Sequence, residues 1–288
     1  MQRRTLLAAA LALPQLSKAQ STPQANRLPA PVEGNIPVAF PISAGAVVID
    51  YCGPWEVFQD VQVPSGDKNV AGFQLYTVAN STEPLTVSGG MKVVANYTFD
   101  NAPAPKVIVI PAQSGNEALR DWVRKAAKTA DVTFSVCTGA FELAKTGLLA
   151  GKAATTHHGS YGTFAMQFRD VKLKRGLRYV EADDHLASAG GLTSGIDLAL
   201  HVVERYYGRF VAERTAFFME YQGAGWTDPG SNAKFAEKPK TDAPSCAVCG
   251  MAVSKTATLS SEFKGATYRF CTQGCKDQFD HSPADFVA

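Results

Sequence analysis

Val132-Thr133-Phe134-Ser135-Val136-Cys137-Thr138-Gly139-Ala140-Phe141-Glu142-Leu143-Ala144 reads as a strand, a sharp turn and the first turns of a helix. The run up to Val136 is apolar and β-branched, which suits a strand buried on both faces. Gly139 opens a segment with helical spacing. A reactive side chain at such a strand-to-helix turn is held clear of the sheet, in the layout of a nucleophile elbow. Here that side chain is Cys137. A helix N-terminus favours negative charge, so the sequence predicts a thiolate nucleophile at Cys137.

The same alternation extends in both directions. Strand-like runs cover 38–40, 46–49, 73–78, 106–110, 132–136, 153–156 and 186–189, and helical patterns cover 55–61, 116–129, 138–146, 196–207 and 211–221. Helices alternating with apolar strands predict an α/β fold: a doubly wound, mostly parallel sheet flanked by helices, a flavodoxin-like sandwich. Reactive groups in such folds gather where strands end. Asp50, Pro111 and Cys137 each follow an expected strand.

The ends of the chain read differently. Residues 1–19 have a basic start with Arg3 and Arg4, an apolar stretch, and Ser17-Lys18-Ala19, which together form an export signal. The expected location is periplasmic, by the general secretory or the twin-arginine route. Residues 20–35 read as a flexible lead, 36–222 as the main domain, 223–244 as a linker and 245–288 as a small module. Of 28 basic residues, removal of 1–19 takes away three, leaving 25 against 26 acidic. No basic stripe points to nucleic acid, and no later stretch is long and apolar enough to span a membrane.

Ile49-Asp50-Tyr51-Cys52-Gly53-Pro54-Trp55 places a carboxylate just after a strand. An Asp before Gly-Pro also serves as a turn or cap residue, but a thiolate enzyme needs a proton donor and acceptor near its sulfur. Asp50 is therefore the expected acid/base. Cys52 reads as a small buried thiol, with a disulfide to Cys137 as the alternative. His157 is expected to line the cleft, His158 to be structural, and adjacent strand positions would point them to opposite faces. Phe210, Phe217, Phe218 and Tyr221 recur at helical spacing as core or dimer interface.

Three separated motifs resemble the ThiJ/PfpI superfamily, which is glutamine-amidotransferase-like, and within it the isocyanide hydratase branch. They are the Asp-x-x-Gly-Pro at Asp50, the span from Ser135-Val136-Cys137-Thr138-Gly139 to Thr155-Thr156-His157, and Gly190-Gly191-Leu192-Thr193-Ser194-Gly195-Ile196-Asp197. The resemblance covers about residues 36–222. It implies attack by Cys137 on the terminal carbon of an isocyanide, proton shuttling by Asp50, orientation by Thr138, and release of an N-substituted formamide. It also implies a homodimer and no cofactor in the main domain. Relatives carry Pro-Gly-Gly where this chain has Pro111-Ala112-Gln113, so Ala112 and Gln113, with Gly139 and His157, are the expected substrate-binding and oxyanion residues.

The module at 245–288 holds Cys246, Cys249, Cys271 and Cys275, four of the chain's six cysteines. Paired thiols at this spacing suit copper(I) or zinc, and two disulfides are the alternative in an oxidising compartment. About 44 residues hold too small an apolar core to stand without such a staple. The segment resembles the YHS domain, a treble-clef-like metal module. A second reading of the whole chain therefore stays open: an exported metal-binding or thiol redox-stress protein in which Cys137 senses rather than catalyses.

Overall fold

The computed structural model describes residues 26–31, 34–236, 246–248, 253–254, 258–271, 273–281 and 283–286. The expected export signal and Cys249 lie outside the described residues. The chain runs β1 (Ile36–Pro41), α1 (Val48–Gln59), β2 (Gln62–Ser65), β3 (Lys68–Ala71), β4 (Phe73–Ala79), β5 (Leu85–Thr86), β6 (Lys92–Val93), β7 (Tyr97–Thr98) and β8 (Val107–Ile110). It continues through α2 (Glu117–Ala126), β9 (Val132–Ser135), α3 (Gly139–Lys145), β10 (Ala153–Ala154), α4 (Tyr161–Gln167), β11 (Lys172–Leu173), β12 (Tyr179–Glu181), β13 (Leu186–Ala189), α5 (Ser194–Tyr207) and α6 (Arg209–Phe218). The C-terminal module adds β14 (Ser260–Phe263), β15 (Ala266–Arg269) and α7 (Gln273–His281).

Seven strands form one sheet in the order β12-β13-β9-β8-β1-β4-β7. Every pairing in it is parallel except β12 with β13. β8 shows why the strands read as unbroken apolar runs. Val107 and Val109 join the cluster under α1 and α5, whereas Ile108 and Ile110 join the one under α2 and α3. A strand covered on both faces has no polar side to show.

Two expectations fail along the chain. Residues 46–49 were expected to form a strand, but α1 begins at Val48 and carries Asp50 in its first turn. β-Branched residues favour strands only weakly, and here burial against α5 overrides that preference. Gly53 makes the approach possible: a Cβ there would lie 3.0 Å from Ile196 Cγ1. β10 pairs with β11 in a separate two-stranded sheet, so 153–156 adds no strand to the main one.

The expected lead and linker are also partly built into the fold. Arg205 is 2% exposed and donates to the carbonyls of Asn26 at 3.0 Å and Asp184 at 2.7 Å, while Leu28 donates to the Arg205 carbonyl. After α6 the chain buries Trp226 and forms a 3-10 helix at Pro229–Phe235. Composition reads this stretch as linker because its fixed points are backbone atoms: Arg178 N–H donates to the Pro229 carbonyl, and Tyr179 Oη to that of Trp226. No helix among the described residues is long and apolar enough to cross a membrane.

Candidate functional site

Cys137 sits at φ +58°, the left-handed region that a side chain rarely adopts. The surroundings hold it there. Its N–H donates to the Gly190 carbonyl at 2.8 Å, and its carbonyl accepts from Thr156 Oγ1 at 2.9 Å. Two residues on, a Cβ at position 139 would lie 2.2 Å from the Ile110 carbonyl oxygen, so only glycine lets the chain pass beneath β8 into α3. The elbow expected from the sequence is present, and strain at one residue is enforced by two neighbouring strand ends.

Asp50 reaches the same place from α1. It is fully buried, and its Oδ2 accepts the Ala112 N–H at 3.1 Å. Its Oδ1 has no hydrogen-bond partner, and the Cys137 thiol lies against the carboxyl closely enough for each to alter the other's ionisation. Burial pushes Asp50 up to about 7, against the pull of the Ala112 amide and the thiol. The thiolate expectation needs correction. Burial pushes the Cys137 thiol up, and the Asp50 charge adds to it. The N–H groups of Leu192 and Thr138 and the Thr138 hydroxyl favour the thiolate without reversing that direction. Two acids raised together at one point hold at least one proton between them at neutral pH.

The expected oxyanion residues fare unevenly. The Ala112 amide is committed to Asp50, not to an open pocket. Gln113 Nε2 turns back to the Pro41 carbonyl at 3.0 Å. The Gly139 N–H donates to the Val136 carbonyl at 2.9 Å, so this glycine serves close packing. Of the two amides that favour charge on the sulfur, that of Leu192 was singled out by no pattern as a site residue. Leu192 also has positive φ, +39°, within the Gly190-Gly191-Leu192-Thr193 turn that precedes α5. The glycine pair was the available signal, since a turn this tight brings backbone close to a neighbour.

His157 packs over that turn: a Cβ on Gly191 would lie 2.6 Å from its Cδ2. Its Nδ1 accepts the Gly159 N–H, and burial followed by the neighbouring His158 lowers its basicity. The two imidazoles do not point to opposite faces. β10 has ended before them, and their ring centres lie 4.5 Å apart, with His158 in turn 5.1 Å from Phe235. Cys52 lies half-buried on α1, and burial raises its thiol. Phe210, Phe217 and Phe218 are 67%, 86% and 72% exposed, which rules out the core for them.

A second cluster of sulfur lies in the C-terminal module. The Sγ atoms of Cys246, Cys271 and Cys275 are all within 4.8 Å of one another, with Cys271 and Cys275 3.8 Å apart. A disulfide needs about 2.05 Å. Four thiolates about 2.3 Å from a tetrahedral ion lie about 3.8 Å from each other. The donor set therefore fits a thiolate-bound metal ion, with Cys249, outside the described residues, as the fourth expected ligand. The module docks on α4: Cys246, Val248, Phe270, Phe279 and Phe286 share one apolar cluster with Tyr161 and Phe164. Arg175 stacks over Tyr161 and Phe286.

Comparison with known proteins agrees with both halves. Residues 37–205 match the model of the DJ-1/PfpI family, and residues 247–288 match that of the YHS domain. The chain is 31% identical to the isonitrile hydratase of Pseudomonas putida over 208 residues, covering 68% of this chain and 86% of that protein. A crystal structure of a ThiJ/PfpI family protein from Pseudomonas syringae superposes with a TM-score of 0.57 at 25% identity, over 74% of this chain and 85% of that one. Drosophila melanogaster DJ-1beta, at 16% identity, shares the fold with a TM-score of 0.54 over 65% of this chain and 98% of its own. The chain belongs to the DJ-1/PfpI family and carries a YHS domain at its C-terminus.

Proposed function

We propose that this DJ-1/PfpI-family chain hydrates isonitriles, with Cys137 as nucleophile and Asp50 as the acid/base. The observation that carries the reading is the fully buried Asp50 carboxyl, one oxygen held by the Ala112 N–H, set beside the Cys137 thiol closely enough for each to alter the other's ionisation. The relative in Pseudomonas putida named isonitrile hydratase supports the substrate class.

The Asp50 carboxylate takes the Cys137 proton as the sulfur attacks the terminal carbon of R–N≡C, and then delivers that proton to the carbon, giving the thioimidate R–N=CH–S–Cys137. Water then adds its oxygen to the carbon as the Asp50 carboxylate takes one of its protons. The carbon–sulfur bond breaks as the remaining hydroxyl proton passes to nitrogen. The products are R–NH–CHO, the Cys137 thiolate and a protonated Asp50. A carboxyl near 7 can both give and take a proton at neutral pH, which this sequence requires. Thr138 and the Leu192 amide steady the sulfur when it carries charge.

The C-terminal module we read as a binding site for copper(I) or zinc, supported by its sulfur spacing. Export to the periplasm rests on residues 1–19, and the exposed phenylalanines of α6 are the proposed homodimer contact. The test is formamide production from a panel of alkyl and aryl isonitriles by the full chain beside Cys137→Ala. Turnover lost in the variant is the expected result. No turnover with the Cys137 thiol intact sinks the reaction for those substrates and leaves metal binding as the function.

A further inference from the structure

The Leu192 amide can serve the sulfur only if a strained turn is held in place, and the means lies outside the turn. Thr193 Oγ1 accepts from Arg178 Nη2 at 3.1 Å. The Arg178 guanidinium is held in turn by Asp197, in the first turn of α5, with Nε 2.5 Å from Oδ2. Asp197 is fully buried, and its other oxygen accepts from Tyr221 Oη at 3.0 Å. The backbone of Arg178 joins the same construction. Its carbonyl accepts the Gly190 N–H at 2.8 Å, and the Gly190 carbonyl accepts the Cys137 N–H. The pair is tightly enclosed, since a Cβ on Gly225 would lie 2.5 Å from Asp197 Oδ2 and 2.8 Å from Arg178 Cγ.

We propose that Arg178 is a positioning residue, which through Thr193 and Asp197 pins the 190–195 turn so that the Leu192 N–H stays on the Cys137 sulfur. A planar guanidinium suits this task, because one rigid fork reaches a carboxylate and a hydroxyl together. A leucine at positive φ relaxes toward ordinary backbone when its restraints go, and that rotation turns its amide away. The charged group acting on Cys137 is Asp50 from α1, while His157 packs on Gly191, and among the described residues neither pairs with Arg178 or Thr193. The proposal rests on Cys137 being the reacting thiol.

The test is the pH dependence of Cys137 alkylation by iodoacetamide in the full chain, followed on the Cys137 peptide by mass spectrometry. Thr193→Val removes one contact with little change in volume. It is expected to shift the titration upward and slow alkylation about three- to tenfold at pH 7, one unit of pKa being tenfold in thiolate. Thr193→Ser, which keeps the hydroxyl, is expected to restore the wild-type profile, and Arg178→Met to match or exceed the Val variant. The Cys52 alkylation rate is the internal control. A folded Thr193→Val protein with the wild-type titration overturns the proposal, and so does a shift that Thr193→Ser fails to rescue. If the titration shifts while no isonitrile is consumed, the substrate reading fails and the positioning role stands.

Discussion

Two groups of sulfur in this chain are held in opposite ways. Cys137 is placed by backbone: strand ends, a glycine under a carbonyl and a strained turn fix it before any ligand arrives. Cys246, Cys271 and Cys275 come together in a small module, brought there by side chains from separate stretches of the chain. At the first site a neighbouring acid crowds protons onto the thiol. At the second, three sulfurs lie within 4.8 Å of one another, a spacing that fits a shared metal ion. On the function proposed above, the same element serves covalent chemistry in one place and ligation in the other, and the difference lies in whether the surroundings favour the proton or the metal.

The sharpest way to break this contrast is Cys137→Ala. It is expected to lower isonitrile turnover by more than about 1,000-fold while metal content stays unchanged. Turnover that survives would place the chemistry elsewhere, the metal module included. Next in size is Cys271→Ser, expected to cost most of the bound metal, read by elemental analysis, and to lower the melting temperature of the module while Cys137 alkylation is kept. Gly139→Ala should destabilise the main domain by about 3 kcal/mol in denaturant titration, because its Cβ meets the Ile110 carbonyl at 2.2 Å.

The pH response sharpens the contrast further. Asp50 is raised to about 7 in the fold, so the folded state binds the proton more tightly than the unfolded chain does. Its contribution to stability is full below about pH 4 and is lost as pH rises toward and through 7. Asp50→Asn should remove that slope, stabilising the protein at pH 8 relative to wild type by about 2–4 kcal/mol at most. The same change should lower turnover by about 100-fold or more. A wild-type melting temperature that climbs between pH 5 and 8 with no difference in the variant would contradict the assignment. The smallest effect is expected from Phe217→Ser on α6. This should weaken self-association in sedimentation experiments and leave the Cys137 titration alone.

Much of the fold was legible because β1 and β8 are apolar on both faces, β9 is buried along its length, and α2 and α5 carry helical spacing. Residues 46–49 misled because Val48 and Ile49, half-buried and β-branched, open a helix that packs on α5, a choice made by tertiary contact and not by local preference. Cys137 and Asp50 could be found from their motifs. The Ala112 amide on Asp50 and the Leu192 amide on Cys137 could not, since backbone groups carry no residue signature. Elevation of the Cys137 thiol was equally hidden. It follows from burial beside Asp50, 87 positions away in the chain, whereas the sequence showed only the adjoining helix.

The apolar cluster that runs from Ile108 and Ile110 through Tyr161 and Phe164 to Phe270 and Phe279 has a practical meaning. One family match ends at residue 205 and the other begins at 247, but water does not see that division. A protein cut there for expression would present the α4 face bare and should be prone to clumping. Two segments that match separate families here share one apolar core.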